Sequence, residues 1–405
     1  MILGLIPALV VALGWVALAV VCVKRSRSSR WLRPTDRCWG PEAPTVSAVV
    51  PARNEADHIA QTLDCLLSQQ YPHLSIHVVD DQSVDGTAAL VRQAVAGNGL
   101  DRHPVRLLPG APRPDGWVGK TWALHQGVEV TESEWIWMVD ADLWLHPRAL
   151  ASAVDRAERT GADFVSFLGR PRCETFWQGS IALALIQILS LLYPLRRVND
   201  PARAEALAHG AFVLIRRSTY DRVGGIECVR SEIVEDIQFA ARVKGRGGRL
   251  QVDAAPELSQ THMYGSFADI WRGLRKNAYA GMDYTFHKYA TGAVLGLLMA
   301  WTPWAALVLG MLGAWGAEGL APMAVAWSVV GVVGVLGQAA AAMPVVVFLD
   351  LPRAFAFALP AGISAYIAIT TASVWHYVRG RVLWKDREFC ARSIKEQSVR
   401  NSGGV

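Results

Sequence analysis

The sequence predicts an α/β fold, a parallel sheet layered with helices, set between stretches of membrane-spanning helix. Three observations carry that expectation. Short apolar runs of strand length alternate with helical patterns over residues 44–265, the cadence of a parallel α/β sheet. Acidic residues fall at the carboxyl ends of those runs, where ligands bind in such sheets. Apolar blocks too long for ordinary core elements gather before and after this region.

The first block, residues 2–23, is about the length needed to cross a bilayer. Its positive charges, Lys24, Arg25, Arg27, Arg30, Arg33 and Arg37, all follow it, whereas a cleaved signal peptide carries charge in front. We expect a retained anchor over residues 1–23, with the amino terminus outside and the rest of the chain inside. Cys22 lacks a small residue before it, which argues against a lipoprotein cleavage site.

Val46-Ser47-Ala48-Val49-Val50 then reads as a buried strand that stops at Pro51-Ala52-Arg53-Asn54-Glu55, ahead of a helical pattern over residues 57–69. A second strand, Ser75-Ile76-His77-Val78-Val79, ends in Asp80-Asp81-Gln82-Ser83-Val84-Asp85-Gly86-Thr87, whose last residues open the next helix. A third apolar run, Trp135-Ile136-Trp137-Met138-Val139, ends in Asp140-Ala141-Asp142. In a strand residues i and i+2 share a face, so both carboxylates can reach one divalent cation. That is the outline of a nucleotide-sugar site, with substrate phosphate oxygens and water completing the coordination. Lys120, after Gly119 in a loop, offers an ammonium to a phosphate or to solvent.

Residues 176–195 are apolar yet lie inside the α/β region. A true span there would put Asp236 across the membrane from Asp142, so we expect either a helix on the membrane surface, with Gln178 and Gln187 as polar interruptions, or a buried core helix. Asp236 follows Glu235 at the start of a helical run, residues 237–243, where a carboxylate also complements the helix dipole. On a helix over residues 267–280, Arg272, Arg275 and Lys276 share one face, fitted to clamp a diphosphate or to snorkel toward lipid headgroups.

Apolar blocks resume at residues 290–313, 321–349 and 354–378, with Trp301, Trp304, Trp327, Trp375 and Tyr377 as interfacial anchors. Three crossings would leave the carboxyl terminus outside, while Arg379, Arg381, Lys385, Arg387 and Arg392 argue for inside. One block is therefore expected to be a re-entrant or interfacial hairpin, kinked at Leu359-Pro360-Ala361-Gly362 or at Pro344. The organisation read from sequence is an anchor (1–23), a catalytic domain (44–265), an interfacial basic helix (266–289), a membrane region (290–378) and a cytoplasmic basic tail (379–405).

Taken in order, Pro51 to Glu55, Asp80 to Thr87, Asp140 to Asp142 and Glu235-Asp236 resemble the signature of the inverting family 2 glycosyltransferases over about residues 44–265. Trp117-Val118-Gly119-Lys120 with Ala123-Leu124, His209-Gly210-Ala211-Phe212 and Gly224-Gly225 is similar to the branch that holds ceramide glucosyltransferase, carotenoid glycosyltransferases and the hopene-associated glycosyltransferases. One apolar segment before the domain and several after it is closest to the hopene-associated group. The resemblance implies an A-type glycosyltransferase fold, Asp236 as catalytic base oriented by Glu235, and Mg²⁺ or Mn²⁺ at Asp140 and Asp142. It further implies nucleotide-sugar contacts from Pro51, Arg53, Glu55, Asp80, Asp81, Lys120, Asp140, Arg272, Arg275 and Lys276. Many relatives end in Gln/Arg-x-x-Arg-Trp, where this chain has Arg272-Gly273-Leu274-Arg275-Lys276 and no tryptophan.

Composition adds the setting. The chain is 52% hydrophobic, with a mean hydropathy of +0.22, and so reads as a membrane protein. Its net charge of +5 flanks the apolar blocks, which anionic headgroups explain without nucleic acid. Cys22, Cys38, Cys65, Cys173, Cys228 and Cys390 show no paired spacing, so reduced thiols are expected and no zinc site is indicated. The expected protein is a multi-pass inner-membrane enzyme, catalytic side cytoplasmic, that moves a sugar from a nucleotide sugar, a uridine diphosphate sugar first, to a lipid acceptor of hopanoid or other isoprenoid type. A processive polysaccharide synthase and a catalytically silent membrane scaffold are the alternatives.

Overall fold

The computed structural model describes residues 2–28, 31–97, 103–232, 234–262, 265–282, 284–314, 321–379, 382–384 and 387–389. The chain divides into two compact units. One gathers Trp31–Arg172 with Tyr193–His262, and the other gathers Met1–Arg30, Cys173–Leu192 and Met263–Cys390.

The first unit is built on ten strands: β1 (Val46–Ala52), β2 (Leu74–Asp80), β3 (Val105–Pro109), β4 (Trp135–Val139), β5 (Leu143–Leu145), β6 (Phe164–Leu168), β7 (Arg170–Arg172), β8 (Phe212–Arg216), β9 (Leu250–Ala254) and β10 (Ser259–His262). Seven of them form one sheet in the order β3-β2-β1-β4-β8-β6-β9. Parallel pairing sets Val46 opposite both Leu74 and Trp135, so the carboxyl ends of β1, β2 and β4 share one edge. Only β8 runs against its neighbours, with Val139 opposite Phe212. Its reversal brings the segment that enters β8 to the same edge, where the Asp140 amide donates to Ala211 O at 3.2 Å.

Both faces of the sheet are covered, which is why its strands are continuously apolar rather than alternating. Ala48, Val50, Trp137 and Val139 pack with Ile59, Leu63 and Leu66 of the Ile59–Leu67 helix and with Leu150 and Val154 of the Ala149–Thr160 helix. On the opposite face Val49, Ile136 and Met138 pack with Leu124 and Val128 of the Gly119–Glu129 helix and with Phe239 and Val243 of the Glu235–Gly245 helix. A β-carbon on Gly127 would stand 2.4 Å from Val49 Cγ1, so this helix lies on the sheet at a distance only glycine permits. Three strands, in the order β5-β10-β7, make a small second sheet.

The second unit holds four helices long and apolar enough to cross a membrane, over Gly4–Arg27, Phe286–Gly313, Pro322–Phe348 and Arg353–Val378. In an apolar setting every polar group must find a partner inside the protein. Trp15 Nε1 accordingly donates to Met299 O at 2.8 Å, and Trp304 Nε1 donates to Gln338 Oε1 at 3.1 Å, while Gln338 Nε2 reaches Ala300 O at 3.2 Å. Small side chains, Ala8, Ala12 and Ala306, let Trp327 and Val330 fill the space between helices.

Several sequence expectations change here. Of residues 176–195, those up to Leu192 do not fold with the α/β region. Their helix, Phe176–Leu192, belongs to the apolar unit, and Gln178 and Gln187 face inward at 4% and 3% exposure rather than lying on a surface. Gln178 Oε1 accepts the Glu174 and Thr175 amides at 2.7 Å each, so a residue read as an interruption closes the amino end of this helix. Trp327 is buried among the helices, not an interfacial anchor. Pro344 sits within one unbroken helix, and Leu359-Pro360 starts a helix after the 3₁₀ turn Arg353–Ala358, where proline in the first turn costs no hydrogen bond. The basic tail, apart from short strands at Val382–Trp384 and Arg387–Phe389, lies outside the described residues, as do Arg30, Cys390 and the Lys276 side chain. The other five cysteines are in no disulfide among the described residues.

Candidate active site

Two loops after β1 and β2 are tied together before any ligand is considered. Arg53 Nη1 donates to Asp81 O at 2.7 Å and lies 3.7 Å from Asp81 Oδ2, and the Asp81 residue is 3% exposed. Asn54 adopts a left-handed φ of 52°, a region that asparagine tolerates, and its Oδ1 accepts the Val84 amide at 3.0 Å. Asp85 accepts the Ala56 amide at 3.1 Å and the Thr87 amide at 2.9 Å, joining both loops to the start of the Thr87–Gly97 helix. The Asp80 carboxylate accepts the Ser83 amide of its own loop at 3.2 Å, and Pro51 sits in β1 opposite Val79. Asp85 therefore takes up the first amide of that helix.

The acidic pair beyond β4 is not in a strand. Asp140-Ala141-Asp142 forms the turn between β4 and β5, so strand alternation does not bring its carboxylates together. The turn does. Burial pushes the Asp142 carboxyl up to about 7, with the charges of Asp140 and Glu55 adding to the rise and Lys120 opposing it. Asp140 and Glu55 thus add their charge to that of Asp142 and Lys120 opposes them, while no group of three such side chains gathers to hold a metal ion among the described residues.

That lysine is the hub of the site. Lys120, in the first turn of the Gly119–Glu129 helix, places Nζ 2.8 Å from Asp140 Oδ1, 3.1 Å from Asp140 Oδ2 and 2.9 Å from Glu235 Oε1. Burial alone would lower its pKa, but Asp140 and Glu235 outweigh burial and raise it, so the ammonium stays charged. The helix start is fixed from behind: the Val118 amide and Thr121 Oγ1 both donate to Arg230 O at 2.8 Å, and Trp117 packs edge-on to Trp122 at 5.1 Å.

Asp236 follows Glu235 in the first turn of the Glu235–Gly245 helix. Its Oδ2 accepts the Gly210 amide at 2.9 Å and its Oδ1 accepts the Ile237 amide at 2.8 Å. Burial, helped by Glu235, pushes its carboxyl up to about 6, against the pull of Lys120 and the two amides. His209, next to Gly210, is held neutral by burial, and its Nδ1 has no hydrogen-bond partner among the described residues. The structure thus brings Glu55, Lys120, Asp140, Asp142, Glu235 and Asp236 around one edge of the sheet.

Arg272 and Arg275 belong to the other unit. On the Phe267–Ala278 helix, capped by Ser266 and Asp269, Arg272 pairs with Asp269 at 2.5 Å and Arg275 Nη1 lies 3.2 Å from His376 Nε2. The residue that sequence reasoning missed is Gly210. It stood in a motif used only for likeness, and no signal marked its amide as the partner of Asp236.

The family model described as Glycosyl transferase family 2 matches residues 47–224. The 4,4'-diaponeurosporenoate glycosyltransferase of Staphylococcus aureus (strain USA300) is 24% identical over 256 residues, which is 62% of this chain and 65% of that protein. Its counterpart in the bovine strain RF122 is 23% identical over 257 residues, covering 62% and 66%. The chain thus spans just under two thirds of the length of these curated relatives. A mannosyltransferase from Pyrobaculum calidifontis, solved with GDP-Man and Mn2+, superposes with a TM-score of 0.51 at 19% identity over 92% of this chain and 99% of that one. The chain carries a family 2 glycosyltransferase domain with the Rossmann-like A-type fold, and its terminal regions hold long apolar helices.

Proposed function

We propose that this protein is a membrane-bound glycosyltransferase that moves a sugar, with inversion, from a uridine diphosphate sugar to the hydroxyl or carboxyl of an isoprenoid lipid. The observation that carries the reading is the pairing of two half-buried carboxylates with different tasks around Lys120: Asp140 on one side, and Glu235 next to Asp236 on the other. Asp236 is the base. Two amides fix its oxygens, and its raised pKa makes it a better proton acceptor than an ordinary aspartate while leaving it ionised at neutral pH. Glu235 and Lys120 hold the electrostatics around it.

The repulsion of Asp142 by Asp140 and Glu55 would be relieved by a divalent cation, and because no group of three metal-binding side chains lies among the described residues, donor phosphate oxygens would have to complete its coordination. Asp140 and Asp142 would hold Mg²⁺ or Mn²⁺, which when bound neutralises charge on the departing diphosphate. Arg53, by ordering Asp81, shapes the loop where we place the nucleotide, together with Pro51 and Asp80. Arg272, with Arg275 and Lys276, supplies basic charge for a diphosphate or a lipid headgroup.

The acceptor follows from the apolar helices. A lipid substrate accounts for a sugar-transfer domain that carries four candidate spans, and the S. aureus relatives bear the name of a carotenoid-type acceptor. We place the protein in the hopene-associated branch, in the inner membrane with its catalytic unit cytoplasmic, where nucleotide sugars are made. The test is transfer by the full chain, purified in detergent, from labelled uridine diphosphate sugars to isoprenoid alcohols and acids, read by mass spectrometry. Hydrolysis of the donor with no lipid product, across alcohols and acids alike, would refute the acceptor class.

A further inference from the structure

Lys120 engages both oxygens of Asp140, at 2.8 and 3.1 Å, and those are the oxygens a divalent cation would take. The same ammonium lies 2.9 Å from Glu235 Oε1 and 3.5 Å from Gly210 O. It therefore has a second anion to hold if it gives up the first. A β-carbon on Gly210 would stand 3.1 Å from Lys120 Nζ, so the ammonium lies against the loop that positions Asp236.

From this arrangement we propose that Lys120 is an exchangeable internal cation, competing with the divalent ion for Asp140 and held by Glu235 alone when the ion binds. The inference rests on the metal-dependent reading above and adds to it an ordering of events. No bond is made or broken in the exchange. One ammonium–carboxylate contact at Asp140 is replaced by metal coordination, and the contact to Glu235 keeps the lysine paired. A metal alone must overcome the lysine, so its affinity without nucleotide is low. A nucleoside diphosphate offers the released ammonium a further anion and so raises metal affinity by linkage. The donor and the metal would then enter together, and Glu235 changes its share of positive charge at the moment its neighbour Asp236 is needed as base.

Mn²⁺ binding to the full-length protein in detergent, measured by calorimetry without nucleotide, tests this. Lys120→Met should bind Mn²⁺ about tenfold more tightly than wild type, the scale of losing one charge-assisted hydrogen bond. Glu235→Gln, which removes the second anchor, should weaken binding, and its effect should shrink when combined with Lys120→Met. This second variant reports on the exchange even if Lys120→Met does not fold. A folded Lys120→Met protein with unchanged or weaker Mn²⁺ affinity overturns the exchange, as does a Glu235→Gln protein that binds Mn²⁺ as well as wild type. If Asp140→Asn also binds Mn²⁺ like wild type, the metal assignment itself is wrong, a failure distinct from that of Lys120.

Discussion

The backbone amide of Gly210 donates to Oδ2 of Asp236 at 2.9 Å, so the orientation of a buried carboxylate is set by a residue that cannot carry a side chain. A β-carbon at position 210 would stand 3.1 Å from Asp236 Cβ and 3.2 Å from its Oδ2. Gly210→Ala must therefore push the carboxylate or Lys120 aside by a few tenths of an ångström. Small displacements of reacting groups cost much rate, so we expect kcat to fall about tenfold or more while KM for the donor changes little. Steady-state kinetics with the labelled donor would check this, and an unaltered kcat would remove Gly210 from the site.

Asp236→Asn keeps the shape but has a single acceptor oxygen for the Gly210 and Ile237 amides, and it cannot accept a proton. Transfer should drop by about a hundredfold or more, the usual scale for a general base, with nucleoside diphosphate binding retained. Binding and turnover separate in this variant. A parallel loss of both would mean that Asp236 serves the fold of the site instead.

Asp140→Asn and Asp142→Asn should each abolish divalent-dependent transfer, because an amide is a poor ligand for a hard cation. The two should differ in stability. Asp142 is a crowded carboxylate, so neutralising it relieves repulsion and should leave the unfolding temperature equal or higher. Asp140 is one of two carboxylate partners of Lys120, so its loss leaves the ammonium with Glu235 alone and should lower it.

How much of this was legible depends on what each residue's neighbours are. The strands and the acidic ends of β1, β2 and β4 were readable because continuous apolar runs have one stable home, a sheet covered on both faces. Asp140 and Asp142 were found, yet the geometry offered for them, strand alternation, is replaced by a turn. The apolar helix Phe176–Leu192 could not be placed, since composition does not distinguish a core helix of one unit from that of another. Lys120 was picked out for a phosphate, while its contacts to Asp140 and Glu235 join residues 20 and 115 positions apart, which no local pattern reveals. Gly210 illustrates the same limit more sharply: the functional atom is a backbone amide, and glycine has no chemistry of its own to notice.

His77 gives a prediction that reaches beyond the site. It lies in β2 at 6% exposure, with Nε2 3.2 Å from Ser75 Oγ and no partner for Nδ1 among the described residues. Burial lowers its pKa from the ordinary 6.5, and Arg106, opposite it in β3, repels a second positive charge. The folded protein therefore keeps this ring neutral where the unfolded chain takes up a proton. Stability contributed by the neutral ring is present above about pH 6.5 and declines as the pH falls below it, by at most about 1.4 kcal/mol per pH unit for one proton. Replacing His77 with Gln removes that proton from the balance, although other buried histidines such as His209 still contribute. We expect the drop in unfolding temperature between pH 7.5 and pH 5.5 to be smaller for His77→Gln than for the wild-type protein in the same detergent, followed by tryptophan fluorescence. Equal drops for the two proteins would show that His77 takes up its proton as readily in the fold as in the unfolded chain.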